Sequence, residues 1–92
     1  MDARLKEFLQ FIRLNRNASA HTVRAYASDL SQFLDHPAEM LKIPRTRVKP
    51  VHLDRLVLRG FMARLHERGL SRASAARKLA AARTFLRHLR RE

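Results

Sequence analysis

The apolar residues of this chain recur every third or fourth position in four separate runs and nowhere alternate. That period lines up one face of an α-helix, whereas a half-buried strand needs every second residue apolar. In the first run, from Asp2 to Leu14, Leu5, Phe8, Leu9 and Ile12 share a face, and Asn15, Arg16 and Asn17 break it. Ser19 is suited to cap a second helix, whose stripe is Val23, Tyr26, Ala27, Leu30, Phe33 and Leu34. Because Pro disfavours helix in the residue before it, this helix is expected to end near Asp35, His36 and Pro37. Residues 36–52 hold all three prolines and read as an irregular connector, in which Pro37 could open a short turn through Met40 and Leu41. Asp54 is a suitable N-cap for a third helix, and Leu53 and Leu58 stand where a hydrophobic staple would be. Its buried face is expected to be Val57, Leu58, Phe61, Met62 and Leu65. Gly69 is placed to end that helix in a left-handed conformation. Ser71 caps a fourth helix that meets no Gly or Pro before the end of the chain. The expected fold is all-α, with four helices in one domain over residues 1–92, because a chain this short builds a single core.

Charge narrows the class of partner. Twenty Lys and Arg face eight Asp and Glu, a formal net charge of +12. The excess is lopsided: residues 1–46 carry seven basic and five acidic groups, and residues 47–92 carry thirteen and three. A one-sided cationic excess points to a polyanion, most often nucleic acid. Sixteen of the twenty cations are Arg, whose planar fork matches phosphates and guanine edges.

Other chemistries find no foothold. The absence of Cys excludes disulfides and Cys-based zinc sites. The histidines at 21, 36, 52, 66 and 88 do not pair with a second ligand type at metal spacing, so no metal or cofactor is expected. No Gly-rich phosphate loop, Ser/His/Asp set or carboxylate pair is visible, so the chain is not expected to be an enzyme by itself. No apolar run approaches the roughly 20 residues of a membrane span. The first residues read as an amphipathic helix, not a signal peptide. A cytoplasmic protein with no membrane partner is expected, and the sequon at Asn17, Ala18 and Ser19 is read as chance.

At about 100° per residue, Ala75, Leu79, Ala82, Leu86 and Leu89 of the last helix fall within roughly an 80° arc, with Phe85 at its edge. That arc is expected to face the core. The opposite ridge would carry Ala73, Arg77, Ala80, Ala81, Thr84 and His88, flanked by Arg72, Arg83, Arg87 and Arg90. A slim centre with long cations at its margins is the profile of a helix that enters a major groove. The first turn at Ser71 to Ser74 adds free N–H groups and the positive dipole end. On the second helix His21, Arg24, Ala25, Ser28 and Gln32 lie opposite the apolar stripe, with Thr22 in the first turn. A solvated charged face on a helical protein-interaction domain remains the alternative reading of both surfaces.

The stretch containing Ser19, Thr22, Tyr26, Asp29, Leu30 and Phe33 resembles the opening motif of Xer-type recombinases and phage integrases. A second block, Gly69, Leu70 and Ser71 followed by Ser74, Arg77, Leu79, Arg83 and Phe85, resembles the fourth-helix motif of the same family. Ala81 stands where many members carry Ser. The resemblance implies an orthogonal four-helix, SAM-like core-binding domain, one arm of a clamp around double-stranded DNA. By position it implies DNA contacts from His21, Thr22, Arg24, Ala25 and Ser28. It implies further contacts from Ser71, Arg72, Ser74, Arg77, Lys78, Ala81 and Arg83. Arg77 is the candidate for reaching a base edge, Arg72, Arg83 and Arg24 for binding phosphates, and Asp29 for pairing with a neighbouring Arg. The resemblance also implies a separate catalytic domain downstream of residue 92, carrying the Tyr nucleophile. It implies a homo- or hetero-tetramer on DNA for the parent protein, the isolated domain being monomeric. The parent would serve DNA integration, recombination or chromosome dimer resolution.

Overall fold

The computed structural model describes residues 1–91. Four helices carry the fold: α1 (Asp2–Asn15), α2 (Ala20–Leu41), α3 (Arg55–Glu67) and α4 (Arg72–Arg91). Two 3₁₀ turns, Arg45–Arg47 and Pro50–His52, lie in the link between α2 and α3. The described residues form no strand. The all-α expectation therefore holds, with helix starts where the cap residues put them. Ser19 Oγ accepts from Thr22 N at 3.1 Å, Asp54 Oδ1 from Val57 N at 2.9 Å, and Ser71 Oγ from Ser74 N at 3.2 Å. Each bond satisfies one of the donors that a helix start leaves open.

The end of α2 departs from the sequence expectation. The helix runs through Pro37 to Leu41. His36, Pro37 and Ala38 are all buried in that turn, and their burial offsets an interior proline's local cost of about 3 kcal/mol. The helix stops instead at Lys42, which sits in the left-handed region at φ 56°. Lys42 N donates to Glu39 O at 3.3 Å and Ile43 N to Ala38 O at 3.0 Å, the paired bonds of a Schellman turn. Gly69 (φ 73°) ends α3 in the same way, with Gly69 N on His66 O at 3.0 Å and Leu70 N on Leu65 O at 3.3 Å.

Phenylalanines from all four helices organise the core. Phe8 of α1 packs edge-on against Phe85 of α4, with ring centroids 5.4 Å apart, and against Tyr26 of α2 at 5.9 Å. Phe33 of α2 meets Phe61 of α3 at 5.3 Å. Ile12, Leu30, Leu34, Val48, Leu53 and Leu65 fill the space between them.

Two faces differ from expectation. On α3 only Phe61 and Leu65 are fully buried, while Met62 is exposed. On α4 the buried residues are Lys78, Ala81, Ala82 and Phe85, an arc rotated roughly 70° from the leucine arc at 100° per residue. The Phe85 ring, closed off by Phe8, takes the centre of the face. Leu79 and Leu86 are left only partly buried, and both line grooves along α3.

Candidate nucleic-acid interface

The N-terminal turns of α2 run beside the middle of α4. Between them lies a groove of about 270 Å³, lined by His21, Thr22, Ala25 and Tyr26 on one side and Arg77, Ala80 and Ala81 on the other. Asp29 forms part of its lining and is 2% exposed. A buried carboxylate needs full pairing, and α4 supplies it. Arg77 grips Asp29 through Nε at 3.0 Å and Nη2 at 3.1 Å, while Lys78 Nζ donates from 2.8 Å. The pairing anticipated for Asp29 is thus present.

The sequence-predicted contact residues divide into three sets. His21, Thr22, Arg24, Ser28, Ser71, Arg72, Arg77 and Arg83 are exposed. Ala25 and Ser74 are half-buried. Lys78 and Ala81 are buried at 6% and 4% exposure, which corrects the placement of Ala81 on the outer ridge and the contact position that the resemblance implied for Lys78. Lys78 is drawn inward by Asp29, and Ala81 is carried inward by the rotation that centres Phe85. Arg77 is corrected in orientation: it lies across to α2 rather than standing straight out. Thr22, Ser71 and Ser74 hydroxyls engage in capping, since Ser19 Oγ donates to Thr22 Oγ1 and Ser71 Oγ to Ser74 Oγ.

The exposed arc of α4 has Ala73, Ala76 and Ala80 as its slim part and Arg72, Arg83, Arg87 and Arg90 as its long cations. Arg87 Nη2 donates to Thr84 Oγ1 at 3.2 Å, and Thr84 Oγ1 donates to Ala80 O at 2.9 Å, so the Arg87 stem is braced on its own helix. On the far side of this arc α3 and α4 enclose a groove of about 500 Å³. It is lined by Arg55, Arg59, Arg83, Arg87 and Arg90 over Leu58, Met62 and Leu86, with no acidic residue among them. Arg55 and Arg59 were not singled out in the sequence. Their i, i+4 spacing, matched by Arg83 and Arg87, is the signal that places such pairs on one helical face. Among the described residues no group of His, Cys, Asp and Glu is arranged to hold a metal ion, and no helix is long and apolar enough to cross a membrane.

Comparison with known proteins gives this surface its context. The chain is 37% identical over 92 residues to the tyrosine recombinase XerC of Pelotomaculum thermopropionicum, covering 100% of this chain and 30% of the relative. It is 33% identical over 89 residues to XerD of Listeria monocytogenes (97% and 29%). To XerC of Methylobacterium nodulans it is 42% identical over 85 residues (92% and 26%). The chain thus spans less than a third of the length of these curated relatives. No solved structure matches it. The family model for the phage integrase N-terminal SAM-like domain matches residues 5–92, and the chain belongs to that family.

Proposed function

We propose that this chain is the duplex-DNA-gripping arm of a Xer-type tyrosine recombinase, binding through the adjoining outer faces of α2 and α4. The observation that carries the reading is the composition of the α4 arc: three alanines between long arginines, with no carboxylate on it among the described residues. A 20-residue helix is about 30 Å long, close to one turn of duplex, and the major groove is wide enough to admit a helix. Alanines let the helix backbone approach base edges, while Arg72, Arg83 and Arg87 reach the phosphates on either side. His21, Arg24 and Ser28 extend the same surface onto α2. Arg77, held two-pronged by Asp29, is a positioned donor at the seam rather than a free cation.

In this reading the chain grips and orients DNA and cleaves nothing. The remainder of the parent protein supplies the Tyr nucleophile, and four such proteins assemble on paired sites in the cytoplasm to integrate, recombine or resolve DNA. Titration of the chain onto duplex DNA at several salt concentrations tests it. The logarithm of affinity should fall linearly with the logarithm of salt, by about 0.9 per phosphate neutralised. Binding indifferent to salt, or none at low salt, would turn the reading toward a protein-interaction domain.

A further inference from the structure

Five arginines converge on the groove between α3 and α4: Arg55 and Arg59 from one wall, and Arg83, Arg87 and Arg90 from the other. Arg45, Arg64 and Arg77 each hold a carboxylate, but among the described residues none of these five does. Arg55 and Arg59, like Arg83 and Arg87, stand i, i+4 on one helix, where like charges repel and weaken the helix. An anion that enters between the walls relieves that repulsion. Both walls start from fixed backbone. Asp54 caps α3 one residue before Arg55, through Val57 N at 2.9 Å, and Phe61, 1% exposed, anchors that helix in the core. On the facing wall Arg87 is braced by Thr84.

The ligand that fits carries several negative charges in a row with apolar surface between them, because Leu58, Met62 and Leu86 make the floor. A sugar–phosphate strand has both, a phosphate at every step and the carbon face of a deoxyribose between phosphates. The planar fork of arginine matches phosphate oxygens two at a time. An acidic peptide would need a carboxylate opposite nearly every guanidinium. Position makes the same choice. A helix that lies in a major groove has a sugar–phosphate strand along each side. The α3–α4 groove borders the α4 arc and shares Arg83, Arg87 and Arg90 with it.

We propose that the α3–α4 groove clasps one strand of the bound duplex, with Arg55 and Arg59 of α3 holding its phosphates from the side opposite α4. This rests on the duplex reading of the α4 arc and adds α3 to the elements that touch DNA. The clasp engages the backbone alone, so it strengthens binding to all sequences alike.

Arg55→Ala/Arg59→Ala is titrated onto duplex DNA at several salt concentrations beside the unaltered chain. The slope of log affinity against log salt is expected to shrink by about 2 in magnitude, as loss of two phosphate contacts requires. A full slope in the variant overturns the clasp and leaves the duplex reading standing, whereas an unaltered chain without salt-dependent binding removes both. Two single changes on α3 check the location. Met62→Glu puts an acid on the groove floor, and Leu56→Glu puts one in the apolar groove between α2 and α3. Both residues are exposed, at 44% and 74%, and both changes alter the net charge equally. Met62→Glu is expected to weaken duplex binding several-fold more than Leu56→Glu, and equal losses overturn the clasp in favour of diffuse attraction. Poly-L-glutamate supplies the last arm. If the Arg55→Ala/Arg59→Ala chain keeps its DNA slope but loses polyglutamate, the groove belongs to an acidic protein segment instead. Circular dichroism verifies that each variant is folded.

Discussion

Asp29 shows how one buried residue can order two side chains of a neighbouring helix. It is a buried carboxylate with two cations, Arg77 and Lys78, drawn to it from neighbouring positions of α4. The arrangement is lopsided. Removing Lys78 leaves Asp29 paired with Arg77, whereas removing Asp29 leaves a buried ammonium with nothing opposite it. Breaking a buried pair from that side costs about 3–5 kcal/mol, and replacing a buried charge with an apolar side chain of similar length is often close to neutral. Asp29→Ala is therefore expected to lower the unfolding free energy by about 3–5 kcal/mol in urea titration, and Lys78→Met by less than half of that. Equal losses would mean that the three groups do not act as one network. His36 is the other buried polar group to watch. Burial lowers its pKa below the ordinary 6.5, the Arg64 charge lowers it further, and Glu39 opposes them. The folded chain thus holds His36 neutral, while the unfolded chain takes up a proton first as pH falls. Stability from this group is complete above pH 6.5 and is lost as pH falls below it. The midpoint of thermal unfolding should drop between about pH 7 and pH 5, and His36→Leu should flatten that window. An unchanged slope would assign the loss to other groups.

At the scale of elements, the ends of α2 and α3 are the same turn made from different residues. Gly69 adopts φ 73° without a Cβ to crowd it, and Lys42 adopts φ 56° with one. An L-residue in this region is strained by about 1–2 kcal/mol, and glycine is relieved of that at some cost in chain entropy. Because the Lys42 side chain is exposed, little packing is lost with it. Lys42→Gly is expected to stabilise the protein by about 0.5–1 kcal/mol, read as a higher urea midpoint at unchanged m-value. The contrast also explains what the sequence disclosed. Gly69 announces its turn, because glycine is the ordinary residue there. Lys42 announces nothing, and Pro37 misdirects, since the burial that carries the helix through it is tertiary. The starts at Ser19, Asp54 and Ser71 were legible because capping is local. The rotation of α4 was not, because a leucine count weighs Leu79 and Leu86 as much as Phe85. Only the packed core ranks the aromatic first and hands Lys78 to Asp29. The exposed and half-buried residues expected on the α2 face are in place, since its stripe of Leu30, Phe33 and Leu34 has no competing alternative.

Across the whole molecule the charge is sorted by face rather than by half of the sequence. The α3–α4 groove and the outer arc of α4 share Arg83, Arg87 and Arg90, with Arg55 and Arg59 adding to them from α3. Most described acidic groups lie off these surfaces, and Asp29, which lines the α2–α4 groove, is buried and paired there. Asp2 and Asp35 are bridged by Arg45 at 2.9 and 3.3 Å, Glu39 is bound to Arg64, and Asp54 and Glu67 border the apolar groove. Such sorting would give the molecule a direction in the field of a polyanion, and on the proposed function it approaches with α4 leading. Location, not total charge, should then decide which cations matter. Replacing Arg83 and Arg87 by Ala removes two charges from the arc, and replacing Arg4 and Lys6 by Ala removes two from exposed positions of α1. Both variants carry the same net charge. The first is expected to reduce the magnitude of the salt slope on duplex DNA by about 2, weakening all sequences alike, as loss of two phosphate contacts does. The second is expected to leave the slope nearly unchanged. If the two variants behave identically, the chain attracts DNA as a diffuse cation, and the α4 arc has no privileged role.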